Sequence, residues 1–563
     1  MPGSSSKYPD GLLTRSARDV LARGNIIPRA DQVEALIEVK RLIRAGHRDI
    51  VIEAPTGSGK SVLAIAIGMC ARSWANNVET NFPAGVCIST PQKMLQDQYE
   101  DDFDVNTLKG RSNYPCYAIK DNSGKKATAA ECVVPHISGA EAKRRFMSSN
   151  CGGCVYKQKV GRVVQAHPSE PHVLNFSTLL YHQAYATTMQ KMGVLLIDEA
   201  HGVEGALRDF FTLELTNDFA DLMKASKFED AQDVKDYLSA KLSALKHNGL
   251  ASSLDDGTTY LERRSAQERA CKEVTNQLHW LDHDAGWMVT DVVRNKKKEV
   301  TKVEVRPRRI GALADVALPR SQYGIRVYLS ATLSMAKFCD VMGLDRNKVG
   351  HVVIPSTFPV NRRPALRDYA GKMGRAHQEK TLPLLHKKIT SLLDKYDKVR
   401  VIIHSVSGDL AQAISDGFAP QHVFRRVLHK GGDKRRALAE FTRPVRPTAV
   451  LISPSVSEGF NGKDSLCRLN IIPKVSYPYL GDPIVAALAR EDPEWYAEQA
   501  ARTVVQQYGR VMRHKEDYGI TYILDRDFDR LYTNHRDLFP LWFQEAIRVG
   551  DKKLGIKDRV ALV

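Results

Sequence analysis

A short apolar run, Asp49-Ile-Val-Ile-Glu-Ala54, leads directly into Ala54-Pro-Thr-Gly-Ser-Gly-Lys-Ser61, and an apolar stretch continues to Ala71. A strand, a tight glycine turn and a buried helix in immediate succession constrain the chain to an α/β fold built on a parallel sheet. Further strands of the same kind are expected at 84–90 and 193–199, each a continuous apolar run rather than an alternating one. Such runs are the mark of strands covered by helices on both faces. A second series is expected at 399–404, 448–453, 467–472 and 520–524, so two α/β domains bracket the middle of the chain. Between them, about Leu207 to Leu318, Ala, Lys, Glu and Leu recur at helical spacing, and the segment reads as mostly helical. It closes on a basic block, Arg294-Asn-Lys-Lys-Lys298 and Arg306-Pro-Arg-Arg309.

The turn at 54–61 has the composition of a Walker A loop, with Ala54 in the place of the first glycine. Gly57, Ser58 and Gly59 allow backbone N–H groups to curl around a phosphate, and the helix N-terminus adds positive dipole. Lys60 is expected to reach the β- and γ-phosphates of ATP and the Ser61 hydroxyl to ligate Mg²⁺. Asp198-Glu-Ala-His201 stands at the end of its strand, where open α/β sheets place their ligands. Asp198 is expected to hold Mg²⁺ through water and Glu199 to orient and deprotonate the attacking water. In Gln506-Gln-Tyr-Gly-Arg-Val-Met-Arg513, Arg510 and Arg513 lie three apart, on one helical face, placed to grip a γ-phosphate from a neighbouring domain.

The chain carries 82 Lys and Arg against 65 Asp and Glu, a formal charge of +17, which favours a polyanionic partner such as nucleic acid. No apolar run approaches the ~18 residues of a bilayer span. Met1-Pro-Gly-Ser-Ser-Ser lacks the apolar core of a secretory signal, so an intracellular, cytoplasmic or nucleoid-associated protein is expected, of cellular, viral or mobile-element origin. Of the nine cysteines, Cys116, Cys132, Cys151 and Cys154 crowd into 39 residues. In a chain read as intracellular, this favours a metal site over a disulfide framework. The surrounding segment also carries Lys125, Lys126, Lys143, Arg144, Arg145 and Lys157, which a single strand or plain solvation explains equally well.

Taken in order, these motifs resemble the superfamily 2 helicases of the branch that includes XPD and DinG, over nearly the whole chain. Gln32 matches the upstream glutamine expected to read the adenine edge. Thr90-Pro-Gln-Lys-Met-Leu-Gln-Asp-Gln98 looks like the first strand-contacting motif, and Ser330-Ala-Thr-Leu333 like the motif that couples hydrolysis to movement. Glu458 and Gly459 match the glutamate-glycine motif of the second motor, with Asn461 where the family usually has aspartate and Asp464 three residues later. The resemblance implies that the four cysteines hold a [4Fe–4S] cluster, with Cys116 at the entry to the insert. Their spacings of 15, 18 and two residues permit a Cys₄ zinc site as well, and the long gaps and the position inside the first motor favour iron.

The resemblance thus implies two RecA-like motors. The first would span 1–109, 166–204 and 319–350, interrupted by an iron–sulfur insert at 110–165 and a helical arch at 205–318. The second would span 351–563. The activity implied is that of an ATP-dependent helicase moving on single-stranded DNA, 5′ to 3′, and opening duplex or forked DNA as a monomer. The rival from another class is a nucleic-acid-stimulated translocase that displaces proteins without separating strands. A nuclease is disfavoured, because no second carboxylate cluster suits two-metal cleavage. Asp282 with His283 is read as packing rather than a metal site, and Tyr477 with Tyr479 as either base-stacking or loop-shaping residues.

Overall fold

The computed structural model describes residues 11–75, 85–91, 93–116, 128–129, 154–164, 170–185, 192–216, 219–248, 260–456, 466–510 and 516–549. In chain order the strands are β1 (Asp49–Glu53), β2 (Val86–Thr90), β3 (Asn106–Leu108), β4 (Pro171–Asn175) and β5 (Met192–Asp198). Then come β6 (Leu213–Thr216), β7 (Met288–Arg294), β8 (Val300–Arg306), β9 (Tyr323–Ser330) and β10 (Val349–Val353). The second half holds β11 (Ala365–Gly371), β12 (Val401–His404), β13 (Arg426–Leu428), β14 (Val450–Ser453), β15 (Leu469–Ile472), β16 (Ile520–Asp525) and β17 (Ile547–Val549).

Two seven-stranded sheets result, in the orders β10-β1-β9-β5-β2-β4-β3 and β13-β14-β12-β15-β16-β11-β17. Every pairing in both is parallel. Helices cover both faces, so β2, β5, β9, β12, β14, β15 and β16 are buried at every position. This is the two-motor RecA-like architecture read from the sequence. The helix Lys60–Trp74 shows how the packing is made. Its whole middle, Leu63–Ala71, is buried beneath the first sheet, and the Trp74 indole N–H donates to Leu12 O at 3.1 Å. A helix buried on all sides belongs in the interior of a layered domain.

The long segment between β5 and β9 is mostly helical, as read from the sequence, but it also holds strands that the sequence reading did not include. It contains the helices Ala231–Asn248 and Tyr260–Leu281, and β6, β8 and β7 form a three-stranded antiparallel sheet beside them. In β6 the burial alternates strictly, Leu213 and Leu215 inward, Glu214 and Thr216 outward. That two-residue period is the strand signal that a helix-length window averages away. The basic block is split between the ends of one ribbon. Arg294–Lys298 forms the β7–β8 turn, whereas Arg306, Arg308 and Arg309 pair with Asp482, Glu491 and Asp284 at its exit.

Within the second motor, His404 ends β12 fully enclosed. Its Nε2–H donates to Asn470 Oδ1 at 2.7 Å, because the Asn470 amide nitrogen is spent on Gln507 O and Thr521 Oγ1. Burial, reinforced by the Arg510 charge, pushes the imidazole down to about 3 from its ordinary 6.5. Below pH ~6.5 the unfolded chain takes a proton that the folded one refuses, so stability falls with pH through this window. Acidification from pH 7 to 5 is expected to cost about 2 kcal/mol through this residue. His404→Gln should remove that part of the slope, read as urea midpoints of wild type and variant at the two pH values. An unchanged slope would show that His404 ionises without penalty.

Among the described residues no helix is long and apolar enough to cross a membrane.

Candidate active site

The site lies where the C-terminal edge of the first sheet meets the helix Pro493–Tyr508 of the second motor. The turn after β1 is shaped by Gly57 (φ +78°) and Gly59 (φ +76°), a region that glycine enters without strain. A Cβ on Gly59 would meet the Gln32 amide at 2.2 Å. Gln32 Nε2 donates to Ser58 O at 2.8 Å and to Gly59 O at 3.3 Å, and its Oε1 accepts from Arg29 N. The Arg29 guanidinium adds a bond to Gly57 O at 3.2 Å. Gln32 therefore spends its amide on the shape of the loop. Ser58 Oγ is buried and has no hydrogen-bond partner among the described residues.

Lys60 and Ser61 open the following helix. Lys60 Nζ lies 3.2 Å from Glu199 Oε1, and both side chains are largely enclosed. Asp198 ends β5, and its Oδ1 accepts from the Glu199 backbone N–H at 2.9 Å. The Tyr99 hydroxyl donates to Asp198 Oδ2 at 2.9 Å and is also hydrogen-bonded to Ser61. One buried phenol thus joins Ser61 and Asp198, the two side chains expected from the sequence to hold Mg²⁺. Tyr99 escaped sequence reading because, with Phe103 one turn on, it reads as the ordinary buried face of the helix Lys93–Phe103.

Glu199 is held at φ +57°, ψ +47°, unusual for a residue with a Cβ. Strain of this kind concentrates where a side chain must be aimed. Burial works against its charge, but Lys60, His201 and Arg510 together outweigh it and hold the carboxyl well below the ordinary range. Asp198 goes the other way: burial and the Glu199 carboxylate push it up to about 6, against the pull of Lys60. Two neighbouring carboxylates with pKa values driven apart is the pattern expected where one anion is kept ready as a base.

His201 joins the motors. Its Nδ1 lies 3.3 Å from Glu199 Oε2 and 3.0 Å from Ser330 Oγ, and its Nε2 lies 2.5 Å from Gln506 Nε2. Arg502 Nη1 donates to His201 O at 3.0 Å. Ser330 also accepts from Thr332 N, so the Ser330–Leu333 motif and Gln506 meet on one imidazole. Arg510 follows the helix end, mostly buried, with Nε donating to Gln506 O at 3.2 Å. Gly509 packs so closely that a Cβ would sit 2.7 Å from Thr56 Cγ2 in the Walker loop.

Other expected residues fall elsewhere. Arg513, Glu458, Gly459, Asn461, Asp464, Cys132 and Cys151 lie outside the described residues, as do Lys125, Lys126, Lys143, Arg144 and Arg145. Cys116 and Cys154 are described and both half-buried. Each stands two residues from a member of the Tyr114–Tyr156 ring pair, whose centroids are 5.5 Å apart. Within the 90–98 motif, Gln96 turns inward, its amide donating to Leu108 O and Val173 O. Tyr477 stacks on Tyr496 at 5.2 Å, whereas Tyr479 is 77% exposed. Asp282 pairs with Lys235, and no group of three metal-ligating side chains occurs among the described residues.

The donor set fits a magnesium nucleotide. A glycine-shaped loop with an unpartnered buried hydroxyl, an enclosed lysine and a hydroxyl–carboxylate pair on one phenol are what a triphosphate with its cation requires.

The family model "Type III restriction enzyme, res subunit" matches residues 25–241, and the "Helicase C-terminal domain" model matches 380–546. Human regulator of telomere elongation helicase 1 is 32% identical over 111 residues, 17% of this chain and 9% of that protein. Its Caenorhabditis elegans homologue is 31% identical over 112 residues, 17% of this chain and 11% of that protein. The matched part is thus about a tenth of these relatives' length. In fold the chain is similar to a solved XPD helicase, with a TM-score of 0.55 and 14% identity over 93% of this chain and all of that one. A second solved structure, Xpd4 of S. tokodaii, gives a TM-score of 0.51 and 13% identity over the same 93% and all of that chain. Two helicase family models are thus matched in order along the chain, a short segment is about a third identical to one group of helicases, and the fold is that of the solved XPD helicases.

Proposed function

We propose that the protein is an ATP-dependent DNA helicase that moves along a single strand, 5′ to 3′, and opens duplex or forked DNA as a monomeric motor. The observation that carries this reading is the continuous link Lys60–Glu199–His201–Gln506, which runs from the Walker loop of one motor to the arginine-bearing helix of the other. In this reading Lys60 and Ser58 bind phosphate, and Ser61 and Asp198 hold Mg²⁺, which supplies charge neutralisation on the β- and γ-phosphates. Glu199 orients and deprotonates the water of a DEAH-type box, Arg510 and Arg513 complete the γ-phosphate site, and Glu458 and Gly459 serve the second motor. Gln32 braces the loop and reads the adenine edge. DNA as substrate is supported by the charge of +17 and by the telomere-related names of the curated relatives.

The inserts are proposed at 110–165 and 205–318. The first would hold a [4Fe–4S] cluster on Cys116, Cys132, Cys151 and Cys154. The Tyr114–Tyr156 contact supports this by joining the segments that carry Cys116 and Cys154. Anaerobically purified protein is expected to contain about four iron atoms per chain. Cys154→Ser should release them and abolish unwinding while basal ATPase remains, since the Walker loop lies outside the insert. One zinc and no iron would make the insert a zinc site.

The reading as a whole is tested by ATP hydrolysis with and without single-stranded DNA, followed by forked-duplex unwinding beside streptavidin displacement. Displacement without unwinding would favour the translocase. Absence of DNA-stimulated hydrolysis would overturn both.

A further inference from the structure

The helix Pro493–Tyr508 delivers Gln506 and, just beyond its end, Arg510 to the nucleotide site. It is gripped at successive levels by the segment that follows Glu199. Near its C-terminal end Gln506 meets the His201 ring, and one turn earlier Arg502 donates to His201 O. Its N-terminal end is held differently. The Trp495 indole N–H lies 3.1 and 3.2 Å from the two carboxylate oxygens of Glu204, and Trp495 is buried. Glu204 sits in the first turn of the helix Val203–Phe210, five residues past Glu199.

Glu204 is fixed from behind. Arg208, one helical turn on and itself buried, donates to Glu204 Oε1 at 2.8 Å, and also to Pro307 O and Arg308 O. Those two carbonyls belong to the segment leaving β8, whose Arg306 and Arg308 pair with Asp482 and Glu491 of the second motor. The carboxylate is therefore shared between the motors: Oε1 accepts from Arg208 of its own motor and from the Trp495 indole, which also reaches Oε2. An indole N–H has a single direction in which to donate, so this bond sets both the distance and the rotation of the helix N-terminus.

We propose that Glu204 and Trp495 are positioning residues for the arginine finger. The pair is a second, remote grip that sets the angle of the Pro493–Tyr508 helix and thereby the placement of Arg510 over the γ-phosphate. Neither residue touches nucleotide. They act through Arg510, and a displacement of the finger by about 1 Å is enough to lower hydrolysis ~10²-fold. This inference rests on the ATPase reading given above.

The test measures DNA-stimulated hydrolysis by full-length wild type, Trp495→Phe, Glu204→Ala, Glu204→Gln, Arg510→Ala and the Trp495→Phe/Arg510→Ala double variant. Trp495→Phe and Glu204→Ala are expected to lower kcat ~10–100-fold with KM within about threefold. Glu204→Gln keeps a carbonyl acceptor for the indole and should restore most of the rate. The double variant should be no slower than Arg510→Ala, because a residue acting through the finger has nothing left to position. A double variant slower than Arg510→Ala by the full single-variant factor would overturn the proposal, as would an unchanged kcat in Trp495→Phe. If Trp495→Phe fails to fold by its thermal midpoint, the contrast between Glu204→Ala and Glu204→Gln decides, and equal rates in those two would overturn the proposal. Failure of wild type to hydrolyse ATP would instead remove the functional reading itself, so the two failures are distinct.

Discussion

Glu199→Gln is expected to lower DNA-stimulated ATP hydrolysis by ~10²–10³-fold while ATP binding persists. The carboxylate is the strongest acid of its pair, kept charged by Lys60, His201 and Arg510 against the cost of burial. An amide cannot accept the proton that the attacking water must lose, so the loss falls on kcat. The phosphate contacts proposed for the loop backbone and Lys60 would be unaffected, and a fluorescent ATP analogue should bind within a few-fold of wild type. Lys60→Ala should be as slow and should also bind more weakly, because the ammonium meets the phosphates in the ground state as well. Full steady-state turnover in either variant would remove the site assignment.

Arg510→Ala is expected to slow hydrolysis by about 10³-fold, the lower range for an arginine finger, with a much smaller change in nucleotide affinity. Arg510 is mostly buried, its charge is felt by Glu199, and its backbone follows a glycine pressed against Thr56 of the opposite motor. In the proposed role the guanidinium would stabilise charge that develops on the γ-phosphoryl oxygens during transfer and add less to the resting complex. Arg510→Lys should recover little, since a point charge lacks the planar fork. The decisive comparison is kcat against the affinity for single-stranded DNA. If DNA affinity collapsed while turnover held, Arg510 would be a strand contact.

Seven of the fourteen strands in the two parallel sheets were legible in the sequence. β1, β2, β5, β12, β14, β15 and β16 each read as short, predominantly apolar runs without polar alternation, because strands covered on both faces have no solvent side to mark with polar residues. The Walker loop was equally plain: a lysine and serine after Gly-Ser-Gly, between a strand and a helix, require nothing distant to be recognised. The ribbon β6–β7–β8 was hidden, since 71 residues separate β6 from β7 and alternation over four residues is lost within a longer helical window. Gln32 was recognised in place, but its bracing of the loop was not. Its amide is consumed by Ser58 and Gly59, a bond that no local pattern encodes.

The amino-acid sequence by itself determined the strand–turn–helix units, the identity of the nucleotide loop and the presence of two carboxylates at a strand end, because each depends on neighbours within about ten residues. Only the tertiary structure decided which distant groups complete them. Tyr99 reaches Ser61 and Asp198, His201 receives Ser330 and Gln506, and Trp495 finds Glu204 across 291 positions. Those contacts follow from the order of strands in each sheet and from the packing of one motor on the other. They are set by burial summed over whole domains, a quantity that no short stretch of sequence contains.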